Sequence, residues 1–447
     1  MRLALWMFSL VILALGQVQA EETQNLQQIY QQALTQDPVL ASAKSGNRAM
    51  QEKLVQGNAL YLPTINFNAG ATASQTDIKY IGSSSVFRNG GRETFEGYSY
   101  GVNLNQPIYR KQIQAQLAQA KSQVEQSDKQ LLLAQQNLIL RSSKAYFDVL
   151  MAQDKIELIQ AQKNAISKQL EQAKANFDVG TATITDFNEA QARFDLVQAQ
   201  EIAAMSDLEV KKRAIQSIVG QMPAKLNAVR DDLKPQMPEP VAMDKWVEIA
   251  SQTNLMIAIQ QQSLEIATQE VERQNAGHLP TLDAIASYTD RYANGSANGF
   301  GSDLQDATIG LQLQIPLYQG GAIASRIREA VANKQKAMDD LVAARRQAEL
   351  DTRQGYLDLV SVVSQIKAYE QALSSSQSQL DSTMLGYEVG VRTSVDVLNA
   401  QQQFFTAKRD LLQSRYAYLM NILSLKSAVG LLNDADIDAV NQQLVNN

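Results

Sequence analysis

Between Pro107 and Gly180 the chain contains neither proline nor glycine, and its apolar residues fall at a stride of seven: Leu131, Leu138, Ala145, Ala152, Ile159, Ile166 and Ala173. Val149, Ile156, Leu170 and Phe177 stand four positions after members of that series. Alternating steps of four and three are the seam of a coiled coil. The core of an intramolecular bundle is the competing reading of the same stripe. Seventy helical residues at 1.5 Å each make a rod of roughly 100 Å. A second stripe, Leu359, Ile366, Leu373, Leu380 and Tyr387, lies in a stretch from Ala322 to Leu385 that only Gly355 interrupts. Both long helices are expected to stop at Val-Gly, at Val179-Gly180 and Val389-Gly390, where glycine suits the left-handed residue that closes a helix. Shorter helices then return, from about Asp186 to Val219 and from about Asp396 to Val429. Each half also opens with a helix, ending near Gly57 and Gly277.

Elsewhere the period falls to two. Tyr98, Tyr100, Val102 and Leu104 alternate with Ser99, Gly101, Asn103 and Asn105; Ile309, Leu311, Leu313 and Ile315 alternate with Thr308, Gly310, Gln312 and Gln314. Weaker alternation precedes them at Ile65, Phe67, Ala69 and Ala71, and at Leu282, Ala284, Ala286 and Tyr288. These segments predict two hairpins, about 64–107 and 281–316, with polar loops near Ile78–Glu96 and Asp290–Gln305. Strands of about ten residues with one apolar and one polar face fit a transmembrane barrel, and Tyr61, Tyr109, Tyr288 and Tyr318 suit its interfacial girdles. A soluble sheet with one solvated face gives the same alternation.

The two halves repeat one another. Leu62-Pro63-Thr64 returns as Leu279-Pro280-Thr281, and Phe177-Asp178-Val179-Gly180 as Tyr387-Glu388-Val389-Gly390. Tyr146 and Tyr356, Val179 and Val389, and Gln191 and Gln401 keep one constant offset of 210 residues. Prolines punctuate the halves at Pro63, Pro107, Pro280 and Pro316 and crowd between Pro223 and Pro240, because proline breaks helix interiors. The expected organisation is a first repeat over 21–220, a linker over 221–240, a second repeat over 241–430 and a short C-terminal segment, 431–447.

Arg2, the apolar run Leu3–Gly16 and the small residues before Ala20 read as a signal peptide over residues 1–20, too short to span a bilayer. No later apolar run reaches helical spanning length, so a membrane-crossing form must be a β-barrel. The absence of cysteine excludes disulfides, thiolate metal sites and a lipid-anchoring cysteine. A net charge of −6 disfavours nucleic acid as a partner. Four strands cannot close a barrel, and lipid forbids open edges. Two copies would supply eight strands and three copies twelve, and only the larger barrel leaves a lumen. Physics alone requires several copies without fixing three.

The duplicated strand–strand–helix repeats, the Leu-Pro-Thr entries and the run from Tyr387 to Leu398 resemble the TolC family of outer-membrane efflux channels. The resemblance covers the mature chain. It implies an α+β membrane protein. In such a protein, the resemblance implies, long antiparallel coiled-coil helices form an α-helical tunnel, and four transmembrane β-strands per chain contribute to a 12-stranded trimeric barrel. It also implies a homotrimer in outer-membrane lipid, with a large periplasmic portion, joined to an inner-membrane transporter by a periplasmic adaptor.

By the same resemblance, Thr185, Asp186, Tyr387 and Arg392 occupy the positions of a closed-state lock between the repeats. Arg392 has donors for a carboxylate or hydroxyl, and the Tyr387 hydroxyl can donate to Asp186. Asp396 falls on the first of two acidic rings at the narrowest point, whereas the second ring position is the uncharged Asn399. The turns Val179-Gly180-Thr181 and Val389-Gly390-Val391 are the expected adaptor-docking tips. Simpler readings make the lock residues solvated charges, Asp396 a helix N-terminal acid and the glycines caps.

No catalytic or cofactor constellation stands out. His278 is the single histidine, which removes histidine metal clusters and serine–histidine triads, and no phosphate-binding glycine loop is present. Trp246 reads as a packing residue. No enzyme, cofactor or metal site is expected. The alternative to a channel is a periplasmic coiled-coil adaptor, which should carry one helical hairpin between compact β-domains, not two strand hairpins in tandem.

Overall fold

The computed structural model describes residues 23–79, 81, 91–230, 232–296 and 300–445. The expected signal peptide lies outside them, as do parts of both predicted loops. In chain order the elements are α1 (Leu26–Gln36), α2 (Pro38–Ala59), β1 (Thr64–Ile78), β2 (Gly91–Tyr109), α3 (Lys111–Asp178) and α4 (Ile184–Val219). The second series is α5 (Met243–Thr253), α6 (Leu255–Asn275), β3 (Thr281–Ala293), β4 (Ser302–Gln314), α7 (Ala322–Glu388), α8 (Ser394–Ala428) and α9 (Asp434–Asn441). The order β-β-long helix-return helix therefore occurs twice. Helices α3 and α7 have 68 and 67 residues, each about 100 Å of helix. No described helix is long and apolar enough to cross a membrane.

Internal contacts divide the chain into two units, and each unit takes part of both long helices. The first comprises Met1–Ala41, Gln135–Met243 and Arg353–Asn447. In it the predicted seam of α3 is buried within a single chain: Ile159, Ile166 and Ala173 pack with Ala190, Val197 and Ala204 of α4 and Leu398 of α8. Alanines on both helices let the backbones approach, and each fully buried isoleucine contributes about 1.5–3 kcal/mol. The stripe is thus an intramolecular core with coiled-coil spacing.

The linker and termini of this unit are held by tyrosines. Tyr146 is fully buried, and its hydroxyl donates to the carbonyls of Asn227 at 2.8 Å and Gln24 at 3.3 Å. Its repeat partner Tyr356 donates to the carbonyl of Val241. Tyr418 accepts from the amide of Gln236 at 2.8 Å. Isolated bridges join Gln24 to Leu226 and Val229 to Leu444, so the linker runs between the two ends of the chain. The segment after Gly430 is not a loose tail: α9 docks through Tyr30, which donates to Asp434 at 2.7 Å, and through Lys426, which pairs with Asp436.

The second unit comprises Ser42–Ala134 and Asp244–Thr352. Its helices bury Ile257, Leu341 and Ala348 against Leu264, and Trp246 is buried as a packing residue. His278 is exposed, in the short 3-10 turn that follows α6. The four strands form one antiparallel sheet in the order β1-β2-β3-β4, leaving β1 and β4 as open edges.

Register explains the alternation. Cross-strand partners share a face, so Phe67, Val102, Tyr288 and Ala307 lie on one side, and Asn68, Gly101, Thr289 and Asp306 on the other. The apolar face is bare: Phe67 is 68% and Ile309 89% exposed. Asp290 is an exception on that face, buried beside Tyr100 and accepting from Gln305 at 3.1 Å.

Two expectations about the hairpins need correction. The ladder continues well into the predicted loops, pairing Ile78 with Gly91 and Ala293 with Ser302. Backbone pairing extends there through polar side chains whose identity alone signals a loop. Tyr288 also sits mid-strand, opposite Val102 and Ala307. The aromatic pair towards the loops is Tyr98 and Tyr292, stacked at 5.0 Å.

Candidate functional site

The candidate site lies in the first unit, where both long helices turn back. Gly180 and Gly390 have φ of 75° and 76°, a region open to glycine without cost. In the first turn the amides of Thr181 and Ala182 donate to the carbonyl of Asn176, at 2.8 and 3.2 Å. In the second, the amides of Val391 and Arg392 donate to the carbonyl of Gly386, at 2.9 and 3.1 Å. The return helices start with matching capping boxes. Asp186 Oδ2 accepts from the amide of Thr183 at 3.0 Å, and Asp396 Oδ2 from that of Thr393 at 2.9 Å. Each threonine hydroxyl accepts from the aspartate amide at 3.2 Å. Such caps contribute about 1 kcal/mol each.

The turns differ at one matched position. Asn176 and Gly386 are 210 residues apart. A Cβ on Gly386 would lie 2.7 Å from Cγ of Arg392, so glycine there makes room for the arginine stem. Asn176 instead carries an amide, and its Nδ2 donates to the Tyr387 hydroxyl at 3.1 Å. This contact joins the two repeats. Sequence reasoning missed Asn176; the asparagine-for-glycine mismatch between the repeats is the signal that singles it out.

A cleft of about 400 Å³ between the turns is lined by Asn176, Thr181, Asp186, Tyr387, Arg392 and Thr393, among others. It gathers three of the four expected lock residues. Thr185 is exposed and outside it. The expected Tyr387–Asp186 hydrogen bond is not formed within one chain: Tyr387 engages Asn176, and Asp186 is occupied by its own cap. Arg392 is exposed and its guanidinium has no hydrogen-bond partner among the described residues, though its charge acts on Asp396.

Asp396 belongs to the second capping box. The backbone hydrogen bond from Thr393, then that from its hydroxyl, hold its carboxyl below the ordinary 3.8, with Arg392 adding attraction. It is half-buried, one helical turn from the exposed Asn399. Asn399 Oδ1 accepts from Arg193 at 2.8 Å, and Arg193 also pairs with Glu189 at 2.9 Å. A carboxylate and an amide thus project from the same end of α8. At the tips Val179, Val389 and Val391 are 66–75% exposed, apolar side chains left bare beside polar turns.

Duplicated rods, a bare amphipathic sheet and paired helical tips define a channel-forming outer-membrane class. The family profile "Outer membrane efflux protein" matches residues 29–221 and 246–431. The chain is 35% identical over 423 residues to the outer membrane protein TolC of Vibrio cholerae, covering 94% of each sequence. It is 33% identical to that of Escherichia coli, covering 95% of this chain and 85% of the relative. The crystal structure of the outer membrane protein VceC from Vibrio cholerae superposes with a TM-score of 0.74 at 19% identity, over 91% of this chain and 96% of that one. This chain belongs to the outer membrane efflux protein family. It is an outer-membrane channel of the kind that serves as an exit duct in efflux and secretion, with a large periplasmic tunnel.

Proposed function

We propose that the chain acts as a homotrimer in which three sheets join edge to edge into a twelve-stranded barrel above a shared helical tunnel. The observation that carries this reading is the four-stranded sheet with both edges open and its apolar face bare. Lipid suits the apolar face but does not tolerate the open edges of one chain, because unpaired backbone groups there cost several kcal/mol each. After a signal peptide at 1–20, the first repeat spans 21–220, 221–240 links it to the second over 241–430, and 431–447 is a short C-terminal segment.

Family members work with a periplasmic adaptor and an inner-membrane transporter. In this chain the turns Val179-Gly180-Thr181 and Val389-Gly390-Val391 dock that adaptor through their exposed valines. Thr185, Asp186, Tyr387 and Arg392 hold the closed state, Thr185 acting on a neighbouring protomer since it is exposed and does not line its own cleft. Asp396 forms an acidic ring and Asn399 an uncharged one. Lipid meets the apolar face, and nucleic acid has no place in the pathway. Drug efflux and type I protein secretion share such a duct, the cargo being chosen by its partners.

Deletion of the gene, followed by assays of drug sensitivity and of secreted proteins, separates these two cargo classes. The assembly is tested by fractionation: heat-modifiable trimers in the outer membrane are expected, and a soluble periplasmic monomer would overturn the reading.

A further inference from the structure

Near the helices, the polar face of the sheet carries almost no charge. Amides, hydroxyls and glycine, such as Asn66, Asn103, Ser287, Gly310 and Gln312, occupy it. Among the described residues, Asp283 is the one ionisable side chain on the helix-proximal part of that face. Glu93, Arg291 and Asp306 share the face but lie towards the loops.

Asp283 is met by Arg110. The Nε donates to Oδ1 at 2.8 Å and a terminal guanidinium nitrogen to Oδ2 at 2.6 Å, a bidentate pair. A local irregularity brings them together. Pro107 sits opposite Asp283, and the register slips between Pro107 and Tyr109, so Ile108 has no partner on β3. Proline has no N–H to give the ladder and is tolerated at such a slip. The bulge re-aims the departing chain, and Arg110, the residue before α3, reaches back to β3. The aspartate side chain is 12% exposed and that of the arginine 35%. The contact joins the first repeat to the second.

We propose that Arg110 and Asp283 form a charge-compensated collar at the foot of the barrel, which keeps that level of the lumen without net charge and passable to cargo of either sign. This rests on the trimeric-barrel reading, in which the polar face lines the lumen. Three pairs then stand at one level, where uncompensated charges would act as a selectivity ring. An uncharged hydrogen bond would staple the strands as well; the charge pair matters because either partner alone would polarise the lumen.

The test is ion selectivity of the purified full-length protein in planar bilayers under a potassium chloride gradient. Asp283→Asn is expected to shift permeability towards chloride and Arg110→Gln towards potassium, each by about twofold or more. The double variant should return to the parental ratio. Unchanged selectivity in both single variants, or shifts of the same sign, would overturn the collar, since a merely structural staple has no reason to shift selectivity in opposite directions. If Asp283→Asn does not assemble, the swapped pair Arg110→Asp with Asp283→Arg decides: trimers with parental selectivity support the collar, and failed assembly or altered selectivity overturns it. Because the chain has no cysteine, Asn103→Cys provides a separate check. A charged thiol reagent should change its conductance. Silence there would count against the barrel reading itself, and the collar would fall with it.

Discussion

The amide of Asn176 donates to the hydroxyl of Tyr387 at 3.1 Å, joining the tips of two hairpins that lie 210 residues apart in the chain. A hydrogen bond of this kind contributes about 0.5–1.5 kcal/mol net. On the trimeric reading proposed above, its repetition around the assembly would make a latch weak enough for a docking partner to open. Asn176→Ala and Tyr387→Phe should each raise single-channel conductance, and Arg392→Ala should do so through the cleft the three residues share. Gly386→Ala should act in the same direction by displacing Arg392. Parental conductance in all four would remove the latch.

Asp396 has a second consequence. The hydrogen bonds from Thr393 favour its charged form, so its carboxyl titrates below 3.8. A depressed folded-state value means that its contribution is complete above the unfolded value and is lost as pH falls through the lower, folded one. Block by multivalent cations should therefore persist down to about pH 4 and disappear in Asp396→Asn. Asn399→Asp should strengthen it, by adding a second acidic ring beside Arg193. Equal block in Asp396→Asn and the parent would show that cations bind elsewhere.

Tyr146 joins the linker to the N-terminal segment from a fully buried position. Tyr146→Phe keeps the ring but leaves the Asn227 carbonyl without this donor. The expected cost is about 1–3 kcal/mol, read as a lower temperature for loss of the folded trimer in a heating series. Loss of the hydroxyl without any such change would mean that another donor replaces it.

Asp37 is buried beside Arg141, which reaches both carboxylate oxygens at 2.8 and 3.0 Å. Burial pushes its pKa up, but hydrogen bonds from Arg141 and the Leu40 amide outweigh that and leave it lowered. The pair stabilises the fold above the ordinary carboxylate range and ceases to do so as pH falls through the lowered value. Arg141→Ala should cost about 2 kcal/mol near neutrality. That is less than a fully buried pair, because the arginine is over a third exposed. The difference from the parent should shrink below about pH 4; a constant difference would assign the loss to packing alone.

The long helices were legible because one physical rule acts over many residues. Heptad spacing from Leu138 to Ala173 matches the buried seam residue for residue, and the return helices begin two residues before the positions their pattern marks. The strands were legible in type but not in extent. From Gly91 to Glu96, inside the predicted loop, mostly polar residues pair with Ala73–Ile78 in the ladder, and nothing local distinguishes a paired polar backbone from a loop.

The candidate site was legible as positions rather than as contacts. Asp186 and Tyr387 do come to the same cleft, yet a short carboxylate three residues after Thr183 is captured by its own helix cap, and Tyr387 turns to Asn176. Local geometry competes with the long-range partner and wins here because the cap closes over three residues.

By itself the sequence determined the periods, the duplication and the turn glycines, since each depends only on neighbours a few residues apart or on matching one half against the other. Tertiary structure alone decided which side chains meet: Asn176 with Tyr387, Arg110 with Asp283, Tyr146 with Asn227. Those pairs join segments distant in the chain, and their hydrogen bonds require atoms within about 3 Å, a precision that hydrophobic spacing does not encode.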